Sequence, residues 1–378
     1  MGFSTDAIHA GQPPDPGTGA IMTPVYLTST YVQEELGRNK GFEYSRVSNP
    51  TRTALEANIA ALEHGAHGMA FGSGTAAVDA ILHLLKPGDH VIMSWNVYGG
   101  TYRIARMVWE DLGLQFDFVD TTDVSRIESA IRPATKMLFV ETPTNPTMEI
   151  TDLTAAAACA RSHGVLSVAD NTFATPYLQR PLEHGFAIVV HSLTKYLNGH
   201  SDILGGMVVT NDNDVATRLR FLQKATGGIL SPFDAWLCLR GTKTLAVRMN
   251  RHNENAMQVA RWLVTQKKVS TVFYPGLESH PQHALAAKQM RGFGGMISFE
   301  LGSLENASNF LKRVRLCALA ESLGGVESII THPASMTHAA IPAEVRSQIG
   351  VTDGLVRISV GIEDVEDIIA DIDRALNG

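Results

Sequence analysis

The segment His191-Ser192-Leu193-Thr194-Lys195-Tyr196-Leu197-Asn198-Gly199 sets a lysine after two hydroxyls and ahead of a Gly-rich turn. It follows an apolar run, Ile188-Val189-Val190, that reads as a strand, so Ser192, Thr194 and Lys195 are expected at the strand's carboxyl edge. One lysine beside a strand is ordinarily just solvated; two hydroxyls spaced to point the same way change that reading. Hydroxyls donate well to phosphate, and a lysine amine forms a Schiff base with a carbonyl. An aldehyde that carries a phosphate meets both demands, and pyridoxal 5′-phosphate (PLP) fits. Asp170, at the end of the apolar run Val168-Ala169, is otherwise a simple turn cap. With a Schiff-base lysine on the next strand, its carboxylate is placed to keep a pyridine nitrogen protonated. Thr172, two residues on, joins the cofactor-binding set. Phe71-Gly72-Ser73-Gly74-Thr75 is a Gly-rich turn entering a helix, where the amides near Gly74 and Thr75 suit the same phosphate. Its order matches neither the Walker A pattern nor a G-x-S-x-G elbow. Tyr98, in Tyr98-Gly99-Gly100-Thr101, offers a ring to stack on a pyridine, with glycines that permit close approach.

These residues need strand ends brought side by side. Short apolar runs recur at residues 91–93, 116–119, 137–140, 165–168 and 188–190, separated mostly by helical patterns such as 75–85 and 153–163. That alternation predicts an α/β fold with a mostly parallel sheet covered by helices, whose ligands sit at the carboxyl ends of the strands. A further helix is expected over residues 49–62. A long helical pattern over 234–266, interrupted at Gly241, would bridge to a smaller C-terminal α/β domain with strands at 271–274, 296–301 and 356–360 and a last helix at 365–376. The expected divisions are an arm at 1–50, a PLP-binding domain at 51–240 and a smaller domain at 241–378.

The 378 residues suit about two domains. The net charge of −7 argues against nucleic acid as the main partner but leaves room for a small anionic ligand held by a local cluster. Three scattered cysteines, Cys159, Cys238 and Cys317, read as reduced thiols in a cytoplasmic protein. No apolar run approaches a membrane span, and the first residues do not read as a signal peptide. His191 with His200, and His64 with His67, lack a third metal ligand, so no metal is expected. A Schiff-base aldolase would need the lysine but not the phosphate turn, Asp170 and Tyr98 together.

The chain resembles the transsulfuration family of PLP-dependent enzymes, nearest to the cystathionine γ-lyases and γ-synthases. Besides the lysine segment, the resemblance rests on Tyr44-Ser45-Arg46, Asn49-Pro50-Thr51-Arg52, Tyr98-Gly99-Gly100-Thr101, Glu141-Thr142-Pro143-Thr144-Asn145-Pro146, residues 321–328, Met336-Thr337-His338 and residues 357–363. They run in family order along essentially the whole chain. The resemblance implies an aspartate-aminotransferase-like fold (fold type I) and a homotetramer built as a dimer of dimers with shared active sites. In it Lys195 holds the cofactor and shuttles protons, and Asp170 pairs with the pyridinium. Ser192, Thr194, Gly74 and Thr75 cradle the phosphate, and Tyr98 stacks and assists proton transfer. Tyr44 and Arg46 reach a neighbour's phosphate, Asn145 lies near the cofactor's 3-hydroxyl, and Arg357 with Ser328 clamps the substrate α-carboxylate. Thr75 departs from the Met or Leu of many relatives, which leaves a backbone contact intact. Glu327 matches a glutamate that receives the distal amino group of cystathionine, where β-lyases tend to carry an aromatic residue. Gly100 stands where methionine γ-lyases typically have a cysteine. The expected reaction is γ-elimination of cystathionine, with γ-replacement on an O-acylhomoserine as the alternative. Methionine γ-lyase, O-acylhomoserine sulfhydrylase and a non-catalytic protein of this fold rank lower.

Overall fold

The five apolar runs become neighbouring strands. In the computed structural model, which describes residues 1–378, they are β2 (His90–Ser94), β3 (Gln115–Val119), β4 (Thr135–Glu141), β5 (Leu166–Asp170) and β6 (Ile188–Ser192). With β1 (His67–Phe71) and β7 (Gly206–Thr210) they form a seven-stranded sheet, in the order β1-β7-β6-β5-β4-β2-β3. Only β7 runs against its neighbours. Alternate residues of the parallel strands serve opposite faces: Phe139 and Met93 pack under the Gly74–Leu82 helix, Leu138 and Ile92 under the Leu153–Ser162 helix. Coverage on both sides explains why these strands read as unbroken apolar runs. Each fully buried side chain contributes about 1.5–3 kcal/mol.

Two strands of this sheet escape a reading by periodicity. β1 holds Gly68, where a Cβ would lie 2.3 Å from the Glu56 carbonyl oxygen of the preceding helix, so close backbone packing replaces an apolar side chain. β7 begins at Gly206, in similar contact with the Ser73 carbonyl. The expected interruption at Gly241 is also corrected. Gly241 lies inside the Pro232–Thr242 helix, because that helix rests directly on the backbone of Asn198; the break falls at Lys243-Thr244, before Leu245–Val264. Buried Arg248 of the second helix donates to the carbonyls of Tyr196 (2.7 Å) and Gly241 (2.9 Å), fixing the chain just past Lys195.

A second sheet carries β8 (Thr271–Phe273), β9 (Met296–Glu300), β10 (Ala318–Leu319), β11 (Ile329–Thr331) and β12 (Leu355–Ser359), in the order β10-β11-β12-β9-β8. Its apolar face packs with Ile368, Ile372 and Leu376 of the Val365–Asn377 helix. β12 sends Arg357 toward the carboxyl edge of the first sheet, where Asn145 meets it.

Candidate active site

Because β4, β5 and β6 are parallel and in register, Glu141 stands opposite Asp170, and Asp170 opposite Val190. Their ends open on a cavity of about 390 Å³. Lys195, Asp170, Thr172, Ser192, Thr194, Gly74, Thr75, Tyr98, Asn145 and Arg357 all line it.

At one end lies the anion seat. Ser73 caps the Gly74–Leu82 helix by accepting the Ala76 amide at 3.0 Å, while the Gly74 and Thr75 amides form no hydrogen bond within the chain. A Cβ on Gly74 would sit 3.1 Å from the Ser192 Cβ, so the helix start and the β6 end close on one spot. The Ser192 amide is held by Thr172 Oγ1 at 2.9 Å, whereas its hydroxyl is unengaged. Thr194 Oγ1 accepts the Gly205 amide at 3.1 Å. Two free amides at a helix start and the free Ser192 hydroxyl suit a phosphate dianion.

Asp170 Oδ1 accepts the Thr172 amide at 3.0 Å, leaving Oδ2 unpaired. Enclosure on all sides but the cavity raises its pKa, opposed by the Thr172 hydrogen bonds and the His191 charge. A cationic ring nitrogen would favour the ionised form further. Lys195 Nζ lies 2.7 Å from Ser322 Oγ. Burial, and then the Arg357 charge, pushes its ammonium down to about 8, so a neutral nucleophilic amine is accessible near physiological pH. These donors fit PLP: an amine for the aldehyde, a carboxylate for the ring nitrogen and an anion seat for the phosphate.

Buried Arg357 donates to Asn145 Oδ1 (2.8 Å), the Ser322 carbonyl (3.0 Å) and Thr331 Oγ1 (3.2 Å). Its Nε is buried and unpaired, a donor left over for a carboxylate. Burial pushes Arg357 down to about 10, which leaves it cationic. His338, lowered to about 4 chiefly by burial, is neutral; its Nε2–H donates to the Asn145 carbonyl at 3.0 Å while Nδ1 accepts from Thr337 Oγ1. The Tyr98 loop packs on the same segment. A Cβ at Gly99 would lie 2.1 Å from the Thr337 carbonyl, and one at Gly100 2.3 Å from the Tyr98 ring, so these glycines admit neighbouring protein rather than a ligand.

Two expected residues are not brought to the cavity. Ser328 is buried with its hydroxyl on Glu363 (3.0 Å) and its amide on the same carboxylate. Glu327 is exposed and accepts from Ser201 Oγ at 3.2 Å. Their places at the cavity belong to Ser322 and Glu321, which line it directly. Between the two pairs the chain turns sharply, with Ser322 at φ 98° and Gly324 at φ 75°. The resemblance points instead to the Glu327-Ser328 pair on the far side of that turn. Glu141 was also missed as a site residue, since a lone glutamate at a strand end carries no pattern. Tyr44 and Arg46 lie apart, in a shallow groove with Leu27, Thr28 and Ile229, where Arg46 donates to the Lys224 carbonyl.

Comparison with known proteins matches this arrangement. The model of the Cys/Met metabolism PLP-dependent enzyme family fits residues 4–377. A cystathionine beta-lyase of Coxiella burnetii is 56% identical over 377 residues, 99% of this chain and 97% of that one. A cystathionine gamma-synthase of Mycobacterium bovis is 49% identical over 378 residues, again 99% and 97%. The crystal structure of cystathionine gamma-lyase from Lactobacillus plantarum complexed with L-serine superimposes with a TM-score of 0.96 at 46% identity, covering 99% of this chain and 98% of that one. Fold type I and the PLP cofactor follow, and no helix is long and apolar enough to cross a membrane. The chain therefore belongs to the Cys/Met metabolism family of PLP-dependent enzymes, as a transsulfuration enzyme of the carbon–sulfur lyase kind.

Proposed function

We propose that the protein cleaves cystathionine by γ-elimination followed by hydrolysis, consuming a water and giving cysteine, 2-oxobutanoate and ammonia. The observation that carries this reading is that Arg357 and Glu321 line one cavity with Lys195 and Ser322. The substrate is an amino acid at both ends. Arg357, oriented by Asn145, receives the α-carboxylate, and Glu321 receives the distal ammonium, the task first expected of Glu327. PLP, when bound, supplies an electron sink for charge developed at the substrate Cα. Lys195 takes the Cα proton on a flexible stem tethered only through Ser322, and so can also serve the Cβ proton whose removal expels the γ-sulfur. Tyr98, which lines the cavity and is 40% exposed, orients the ring system and relays the proton to the departing thiolate.

The working form in this proposal is a homotetramer of two dimers that share sites. Ile21, Leu27, Val32 and Leu36 of the arm are 72% exposed or more, an apolar display suited to burial by a second copy. Tyr44 and Arg46 lie beside it, away from the chain's own cavity, and in this proposal they bind a neighbour's phosphate. The protein is proposed to work in the cytoplasm.

β-Elimination is a second reading, favoured by the beta-lyase name of the 56% identical relative. It would release pyruvate and homocysteine instead. The test is one product analysis of purified holoprotein with cystathionine, run beside O-succinylhomoserine plus cysteine. Predominant 2-oxobutanoate supports γ-elimination; pyruvate assigns β-elimination, and faster thiol-dependent cystathionine formation assigns γ-replacement.

A further inference from the structure

Glu141 ends β4 and faces Asp170 across the β4–β5 register. It is only 4% exposed, and Arg357, the one cation that acts on it, does so without forming an ion pair. Its two oxygens instead accept backbone amides from two loops far apart in sequence. Tyr98 N–H donates to Oε2 at 2.7 Å, and Asn145 N–H to Oε1 at 3.1 Å. From Asn145 the hydrogen bonds run on through Arg357 to the Ser322 carbonyl, and from the Ser322 hydroxyl to Lys195. Glu141 is thus the link that joins the stacking tyrosine to the carboxylate clamp and, through it, to the lysine.

The position is costly. Burial, and then the neighbouring Asp170 charge, holds the Glu141 carboxyl well above the usual range, with the two amides and the Arg357 charge opposing. An apolar side chain there would avoid that cost but leave two buried N–H groups unpaired. We propose that Glu141 is a positioning residue that locks the Tyr98 loop and the Asn145–Arg357 clamp into one frame, so that one side chain sets both how tightly PLP seats and how tightly the substrate α-carboxylate binds. The inference rests on the cofactor seat described above and not on which cystathionine reaction follows.

The test compares Glu141→Ala and Glu141→Gln with Glu149→Gln, a nearby half-buried acid that accepts the Trp95 indole N–H at 2.9 Å. Three quantities are read: PLP affinity of the apoprotein by titration, the absorbance spectrum of the bound cofactor against pH, and KM with kcat for cystathionine. Glu141→Ala is expected to weaken PLP binding and raise KM together, each about tenfold or more, and to shift the spectrum as Tyr98 loosens. Glu141→Gln keeps the volume and one acceptor oxygen, so it falls between alanine and wild type. Glu149→Gln is expected to lower Tm while leaving both constants within about twofold. A folded Glu141→Ala or Glu141→Gln protein with PLP affinity and KM within about twofold of wild type, or changes matched by Glu149→Gln, overturns the proposal. If the alanine variant does not fold, the glutamine variant decides alone. A wild-type protein that binds no PLP would overturn the cofactor seat, and the inference with it.

Discussion

Replacing Lys195 by methionine should make the apoprotein more stable near neutral pH. The folded chain holds this ammonium at about 8, against 10.5 in the unfolded chain, first through burial and then through the Arg357 charge. That difference corresponds to about 3 kcal/mol of destabilisation whenever the lysine is charged in both states. Below about pH 8 the full penalty is present. Between pH 8 and 10.5 the unfolded chain binds the extra proton, so stability from this group rises with pH across that window. Methionine removes the charge and fills a similar volume. Urea unfolding of both apoproteins at equal concentration should show the variant ahead by about 3 kcal/mol near neutral pH, with the gap closing as pH approaches 10.5. A gap that does not change with pH, or a less stable variant at neutral pH, would refute the electrostatic account of the buried amine.

Asp170→Asn should lower kcat by about a hundredfold, because an amide cannot stabilise a charged ring nitrogen; steady-state kinetics at saturating PLP checks it, and a kcat within twofold of wild type would remove that role. Arg357→Lys keeps the charge but loses the planar fork that binds Asn145, Ser322 and Thr331 at once. KM for cystathionine should rise about tenfold or more, a larger change than in PLP affinity measured by titration. Glu321→Ala should raise KM for cystathionine about tenfold while Glu327→Ala stays near wild type, and the opposite ranking would restore the distal-amine role to Glu327.

What could be read from the sequence was whatever sits at the end of an apolar strand. Lys195, Asp170 and Ser192 follow runs that announce both the strand and its carboxyl edge, Gly74 is marked by its Gly-rich turn, and the structure gathers all four at one cavity. Ser322 and Glu321 carry no such announcement. They reach the cavity through a left-handed residue in an irregular loop of the second sheet, and the cavity lining and the bond from Lys195 to Ser322 reveal them. Glu327-Ser328 repeats the Glu-Ser dipeptide of that pair after four intervening residues, yet the turn between them delivers Glu327 to Ser201 and Ser328 to Glu363. Strands β1 and β7 were illegible for a related reason. Gly68 and Gly206 let backbone pack on backbone, and a glycine leaves no apolar mark to count.

Borohydride reduction of the holoprotein followed by peptide mass spectrometry tests the site most directly, since it fixes the cofactor to the amine that holds it. A phosphopyridoxyl group on Lys195 alone is the predicted result. The group on any other lysine, or on none, would contradict it.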